Sequence, residues 1–151
     1  MGYFPTKILL ATDASKDAEK AALMASEIAN NSGSELHVLH VGNTKDFHVA
    51  PGAEVGLASR SGTYGEIQEQ AQERLDEAVK QVQEAGGTVA QAHVRMGDPD
   101  DEILRFCDEQ GGFGLIVMGS RGLTRIKRVV MGSVSESVVR HAHCPVLVAR
   151  S

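Results

Sequence analysis

What most constrains this chain is a regular exchange between short apolar runs and helical patterns. Lys7-Ile8-Leu9-Leu10-Ala11-Thr12 is apolar at consecutive positions, not alternate ones. Such a run suits a strand buried on both faces, the condition of a parallel sheet. Leu36 to Val41, Leu115 to Met118 and Val146 to Ala149 repeat the signature, and Thr88 to Arg95 adds an alternating run with Val89, Ala92 and Val94 as expected core members. Between these runs lie helical stretches. Ser15 offers a cap, with the acids Asp17 and Glu19 in the following turn. Ala18, Ala21, Ala22, Ala25, Ile28 and Ala29 then recur on one side until Asn31, Ser32 and Gly33 stop the helix. Thr63-x-x-Glu66 reads as a capping box opening a helix to about Ala85, ended by Gly86-Gly87. Asp98-Pro99 reads as a cap and first helical position, with helix to about Glu109 before Gly111, Gly112 and Gly114. Ser133 to about His141 is the last helical stretch. Residues 42–62 show no period, and are expected to be a lid or a disordered insert.

Strands alternating with helices imply right-handed βαβ units and a parallel sheet covered on both faces. With 151 residues and no internal repeat or linker, the expectation is one doubly wound, Rossmann-like α/β domain over residues 1–151, with five parallel strands.

Composition narrows the classes of function. A net charge of −5 with few aromatics argues against a general nucleic-acid binder. No apolar run reaches the roughly 18 residues of a membrane span, and the start lacks a secretory signal's basic and apolar regions. Met1-Gly2-Tyr3-Phe4-Pro5-Thr6 fits the loose myristoylation pattern, but no basic patch or nearby cysteine supplies a second anchor. Two cysteines, Cys107 and Cys144, are too few for a secreted disulfide framework, so a reduced cytoplasmic protein is expected.

In an open α/β sheet, ligands lie beyond the carboxyl ends of strands, where strand order reverses. That directs attention to Ala11-Thr12-Asp13, Val41, Arg95-Met96-Gly97 and Met118-Gly119. From the last of these the chain reads G-x2-G-x9-G-S, with glycines at 119, 122 and 132 and serine at 133. Glycines let backbone N–H groups approach an anion, and Gly132-Ser133 opens a helix whose free amides favour a phosphate. The Ser133 and Ser135 hydroxyls are expected to add hydrogen bonds. Arg121, Arg125, Lys127 and Arg128 make the stretch purely basic, with no acid between Glu109 and Glu136. An anionic ligand follows. The P-loop pattern G-x-x-x-x-G-K-[ST] is absent, and no G-x-G-x-x-G follows a strand.

At this point the sequence resembles the universal stress protein family, specifically its ATP-binding branch. The resemblance is carried by Ile8 to Ser15, by the glycine pattern, and by His143-Cys144-Pro145-Val146-Leu147-Val148. Ala14 departs from the family, where glycine is common, and is expected to matter little. The resemblance implies ATP as ligand, with Mg or Mn accompanying the phosphates. It places Asp13 near the adenine or ribose and the Val41 backbone on the adenine edge. Gly119 and Gly122 would flank the ribose and α-phosphate, and Gly132, Ser133, Val134 and Ser135 would hold the outer phosphates. Ala11, Thr12, Met118 and Arg121 complete the implied site. It also implies a homodimer joined through the last strand, Val146 to Ala149, whose apolar edge would otherwise be unpaired.

Other constellations are weaker. Asp13 ends a strand as acids do in response-regulator receivers, but Asp98 looks like a cap and Arg150 does not replace the required lysine. His141, His143 and Cys144 lack a second cluster to complete a metal site, and histidines at a helix C-terminus suit its dipole. His37 and His40 read as strand positions, His40 adjoining the expected adenine site. Cys107 reads as core, and no base near either thiol supports a nucleophile. Hydrolysis needs a group that positions water in line with the γ-phosphate, and none is dictated by spacing. A nucleotide-dependent regulatory module with slow or no turnover is expected, the alternatives being a slow ATP hydrolase or a nucleotide-independent dimeric scaffold.

Overall fold

A computed structural model describes residues 2–44, 57–120 and 131–150, with backbone alone for residues 57–63. Five strands and four helices alternate: β1 (Lys7–Ala11), α1 (Ala18–Ser32), β2 (Glu35–Asn43), α2 (Leu57–Glu84), β3 (Val89–Gly97), α3 (Pro99–Gln110), β4 (Phe113–Gly119), α4 (Ser133–His141) and β5 (Val146–Ala149). The strands are parallel in the order β3-β2-β1-β4-β5, so the direction of winding reverses between β1 and β4. This is the doubly wound α/β fold expected from the alternation.

Alternate residues of each strand serve opposite faces. Ile8, Leu10, Leu36, Val38 and Val117 pack against α1 and α2. Leu9, Ala11, Leu39, Val41, Ile116 and Met118 pack with Ile103 and Phe106 of α3 and Val138 of α4. Ile8, Leu9 and Leu10 are all fully buried, which is why the first run is apolar throughout. Truncating any one of them to alanine costs about 2–5 kcal/mol. The alanines of α1 let it lie close to the sheet, and Gly33 ends it in the left-handed conformation (φ 70°), where a side chain would be strained.

Three local expectations need correction. Helix α1 begins at Ala18, with Asp17 in the N-cap position, while Ser15 sits a turn earlier and its Oγ accepts from the Ala18 amide at 3.3 Å. Helix α2 begins at Leu57, so Thr63-x-x-Glu66 lies inside it. Part of the 42–62 stretch is therefore helix, and residues 45–56 lie outside the described residues. Its anchoring comes from the buried stripe Ala71, Leu75, Ala78 and Val82, and tertiary packing of that kind outweighs local capping. In β3, Ala92 and Val94 are exposed, because β3 is an edge strand that α2 covers incompletely. The sheltered residues are His93 and Arg95, which lie over Phe106. The Asp98-Pro99 start of α3 is as expected, although no side-chain hydrogen bond closes the cap.

Candidate functional site

The carboxyl ends of β1, β2 and β4 open into a cleft of about 360 Å³ at the reversal of strand order. That size falls in the range of small-molecule sites. Ala11, Thr12, Asp13, Val41, Met118, Gly119, Gly132, Ser133, Val134 and Ser135 all line it. Ten of the twelve residues expected from sequence thus meet in one cleft, although they span four elements and more than a hundred positions. Arg121 and Gly122, like the basic stretch to Arg128, lie outside the described residues.

The β1–α1 connection is a braced turn. Thr12 Oγ1 accepts from the Ala14 amide at 3.0 Å and Asp13 Oδ1 from the Ser15 amide at 2.9 Å. Ala14 sits at φ 58°, a left-handed conformation that costs a residue with a side chain about 1–2 kcal/mol. The departure from glycine therefore matters more than the sequence implied.

His40 underpins this turn. It is 7 % exposed, and its Nδ1 donates to the Thr12 carbonyl at 2.7 Å. Burial holds its pKa below the usual imidazole value. The Thr12 carbonyl and Asp13 act against that shift, while Arg74 adds to it. The ring is accordingly neutral at physiological pH.

On the other side, α4 aims its N-terminus into the cleft. Its first helical hydrogen bond runs from the Glu136 amide to the Gly132 carbonyl at 3.0 Å, which leaves the amides of Ser133, Val134 and Ser135 without an intrahelical acceptor. Those donors and the positive end of the helix favour an anion. The Ser120 carbonyl clasps this terminus to the exit of β4, accepting both the Gly132 amide and the Ser135 hydroxyl, the latter at 2.9 Å. Ser135 is buried and its hydroxyl proton is engaged with the Ser120 and Gly132 carbonyls. In this arrangement the hydroxyl proton is committed to those two carbonyls, and the Ser135 amide is the donor without an intrahelical acceptor.

Sequence reading missed the fourth wall. Ile67, Gln70, Ala71 and Arg74 of α2 line the cleft at i, i+3, i+4 and i+7. Gly42 lets that helix approach, since a Cβ there would stand 2.6 Å from Met96 Sδ and 3.0 Å from Ala71 Cβ. The helical period was visible, but nothing in it told which face meets a ligand. Asp13 and Arg74 are the charged side chains among the described lining residues.

The described residues hold no group of three His, Cys, Asp or Glu placed to bind a metal. His141, His143, Cys144 and Cys107 instead border a separate hollow of about 250 Å³, with His143 Nδ1 3.3 Å from Asp108. Burial pushes the Cys107 thiol up to about 12 and raises that of Cys144, so neither is an activated nucleophile. No helix among the described residues is long and apolar enough to cross a membrane.

Fold and cleft together define a doubly wound α/β protein with an anion-favouring helix terminus at its switch point. The chain belongs to the universal stress protein family, whose sequence profile matches residues 5–150. It is 35 % identical over 147 residues to the universal stress protein MJ0531 of Methanocaldococcus jannaschii, covering 95 % of this chain and 81 % of that one. It is 32 % identical to the universal stress protein YxiE of Bacillus subtilis, over 95 % and 98 % of the two chains. The solved structure of MJ0577, also from M. jannaschii and described as a structure-based assignment of biochemical function, superposes with a TM-score of 0.79 at 27 % identity, over 97 % and 96 % of the chains.

Proposed function

We propose that this chain is an ATP-binding universal stress protein, acting in the cytoplasm as a nucleotide-dependent regulatory module with slow or no hydrolysis. The observation that carries this reading is the convergence of the α4 amides, Gly119, Asp13 and Val41 on one cleft. In it, the α4 terminus and the Arg121–Gly122 stretch hold the phosphates, Val41 and Met118 bound the adenine, and Asp13 takes the ribose or the base. Residues 1–151 then form one nucleotide-binding domain. The cytoplasmic assignment rests on the two free cysteines.

Mg or Mn would accompany the phosphates. The described lining supplies one carboxylate, Asp13, so the metal's ligands would come largely from phosphate and water oxygens, as hard cations accept. His40 and Gln70, the histidine and the glutamine of the described lining, stand on the α2 side of the sheet, opposite α4. That separation favours slow turnover, and a sustained metal-dependent rate above roughly 1 per second would overturn it. A homodimer through the free edge of β5 completes the reading, since β5 ends the sheet.

The test is to release and identify co-purified ligand by mass spectrometry and to follow thermal unfolding with added Mg-ATP. Adenine nucleotide in the extract is expected, with a melting temperature raised by several degrees. Saturation at about a thousand times the dissociation constant adds about 4 kcal/mol. Neither ligand nor shift would leave a nucleotide-independent scaffold as the better reading.

A further inference from the structure

The α2 wall of the cleft carries a feature that the phosphate-binding elements do not explain. Arg74 is half-buried, lines the cleft, and has no ion-pair partner among the described residues. A partly desolvated guanidinium without an acid beside it calls for a partner from the ligand. It lies near enough to His40 for its charge to oppose protonation of that ring. Helix α2 packs on one face of the sheet and α4 on the other, so Arg74 stands across the cleft from the amides that favour phosphate. Its neighbours on the cleft-facing stripe of the helix are the uncharged Ile67, Gln70 and Ala71, and close to it lies the neutral His40. A flat cation among uncharged groups, with no second cation in the described lining, suits the face of an aromatic ring better than a triphosphate.

We propose that Arg74 is a specificity-determining residue of the cleft, its guanidinium lying against the face of the purine base. This inference rests on the nucleotide-binding reading given above and adds to it the group that recognises the base. A guanidinium stacked on a partly desolvated ring contributes enough to change affinity about tenfold. Lysine keeps the charge but loses the plane, so it is a poor substitute.

The experiment compares the wild type with Arg74→Gln and Arg74→Lys by calorimetric titration with adenosine, AMP, ATP and inorganic tripolyphosphate, after thermal melts have shown both variants folded. Both substitutions are expected to weaken adenosine, AMP and ATP by a similar factor of about ten and to leave tripolyphosphate unchanged. A loss that grows with the number of phosphates, restored by lysine, would make Arg74 a phosphate contact and overturn the proposal. Unchanged affinity for all four ligands in a folded variant would overturn it as well. Failure of the wild type to bind any adenine compound would remove the nucleotide-binding reading itself, and this inference with it.

Discussion

The imidazole of His40 is tied by its Nδ1–H to the main-chain carbonyl of Thr12 at 2.7 Å, so a residue of β2 fixes the turn that presents Asp13 to the cleft. Because burial holds the ring neutral in the fold, stability depends on pH. Below the ordinary imidazole value of about 6.5 the unfolded chain takes up a proton that the folded chain resists, until pH falls through the lowered folded value. This contribution is therefore complete above about pH 6.5 and is lost as the solution is acidified. His93, held down by burial and by its neighbours His37, Arg95 and Lys7, adds in the same direction. Urea unfolding followed from about pH 7.5 to about pH 5 is expected to show a falling midpoint. His40→Asn should flatten part of that slope, and an unaltered slope would place the titration elsewhere.

Removing the Ser135 hydroxyl should loosen the clasp at Ser120 without emptying it, because the Gly132 amide still donates to the same carbonyl. Ser135→Ala is expected to cost about 1 kcal/mol, read as a lower urea midpoint at constant slope. Full stability with complete loss of nucleotide binding would instead make the hydroxyl a ligand contact.

Ala14 occupies a conformation that suits glycine. Ala14→Gly relieves about 1–2 kcal/mol of left-handed strain and returns about 0.4–1 kcal/mol through the freer unfolded chain. The difference is a net gain centred on about 0.8 kcal/mol, visible as a melting temperature higher by about 2–3 °C. A lower melting temperature would mean that the turn relaxes in solution.

The carbonyls of Pro145 and Ala149 accept hydrogen bonds from β4, so by the two-residue period of a strand the amides of Val146 and Val148 face the outer edge. Val148→Pro removes an outward donor while leaving the β4 ladder intact. Sedimentation velocity is expected to show a dimer for the wild type and a folded monomer for the variant. A variant that still dimerises would move the interface away from β5.

Legibility in the sequence followed the physics of each element. Helix α4 and strand β5 have the bounds expected, Ser133 to His141 and Val146 to Ala149, because a glycine-serine start and a proline before an apolar run are local signals. The interior of β3 was misread because alternation marks a strand without telling a centre from an edge, which is why Ala92 and Val94 stand exposed. The α4 side of the cleft was readable because glycines and a helix start lie together along the chain. The α2 side was not, since only the close approach at Gly42 brings Ile67 and Arg74 to it. His40 adjoined the expected site, but its tie to Thr12 crosses 28 positions and leaves no trace in either segment.

The double acceptance at Ser120 has one more consequence. Ser120 and Gly132 are hydrogen-bonded to each other although residues 121–131 separate them in sequence. By loop-closure entropy, lengthening the chain between two such fixed posts costs only about 0.6 kcal/mol for each doubling. Insertions, tags or grafted recognition sequences placed in this stretch should leave the sheet and its helices intact. Selection can thus vary the length and content of this stretch without renegotiating how the rest of the protein folds.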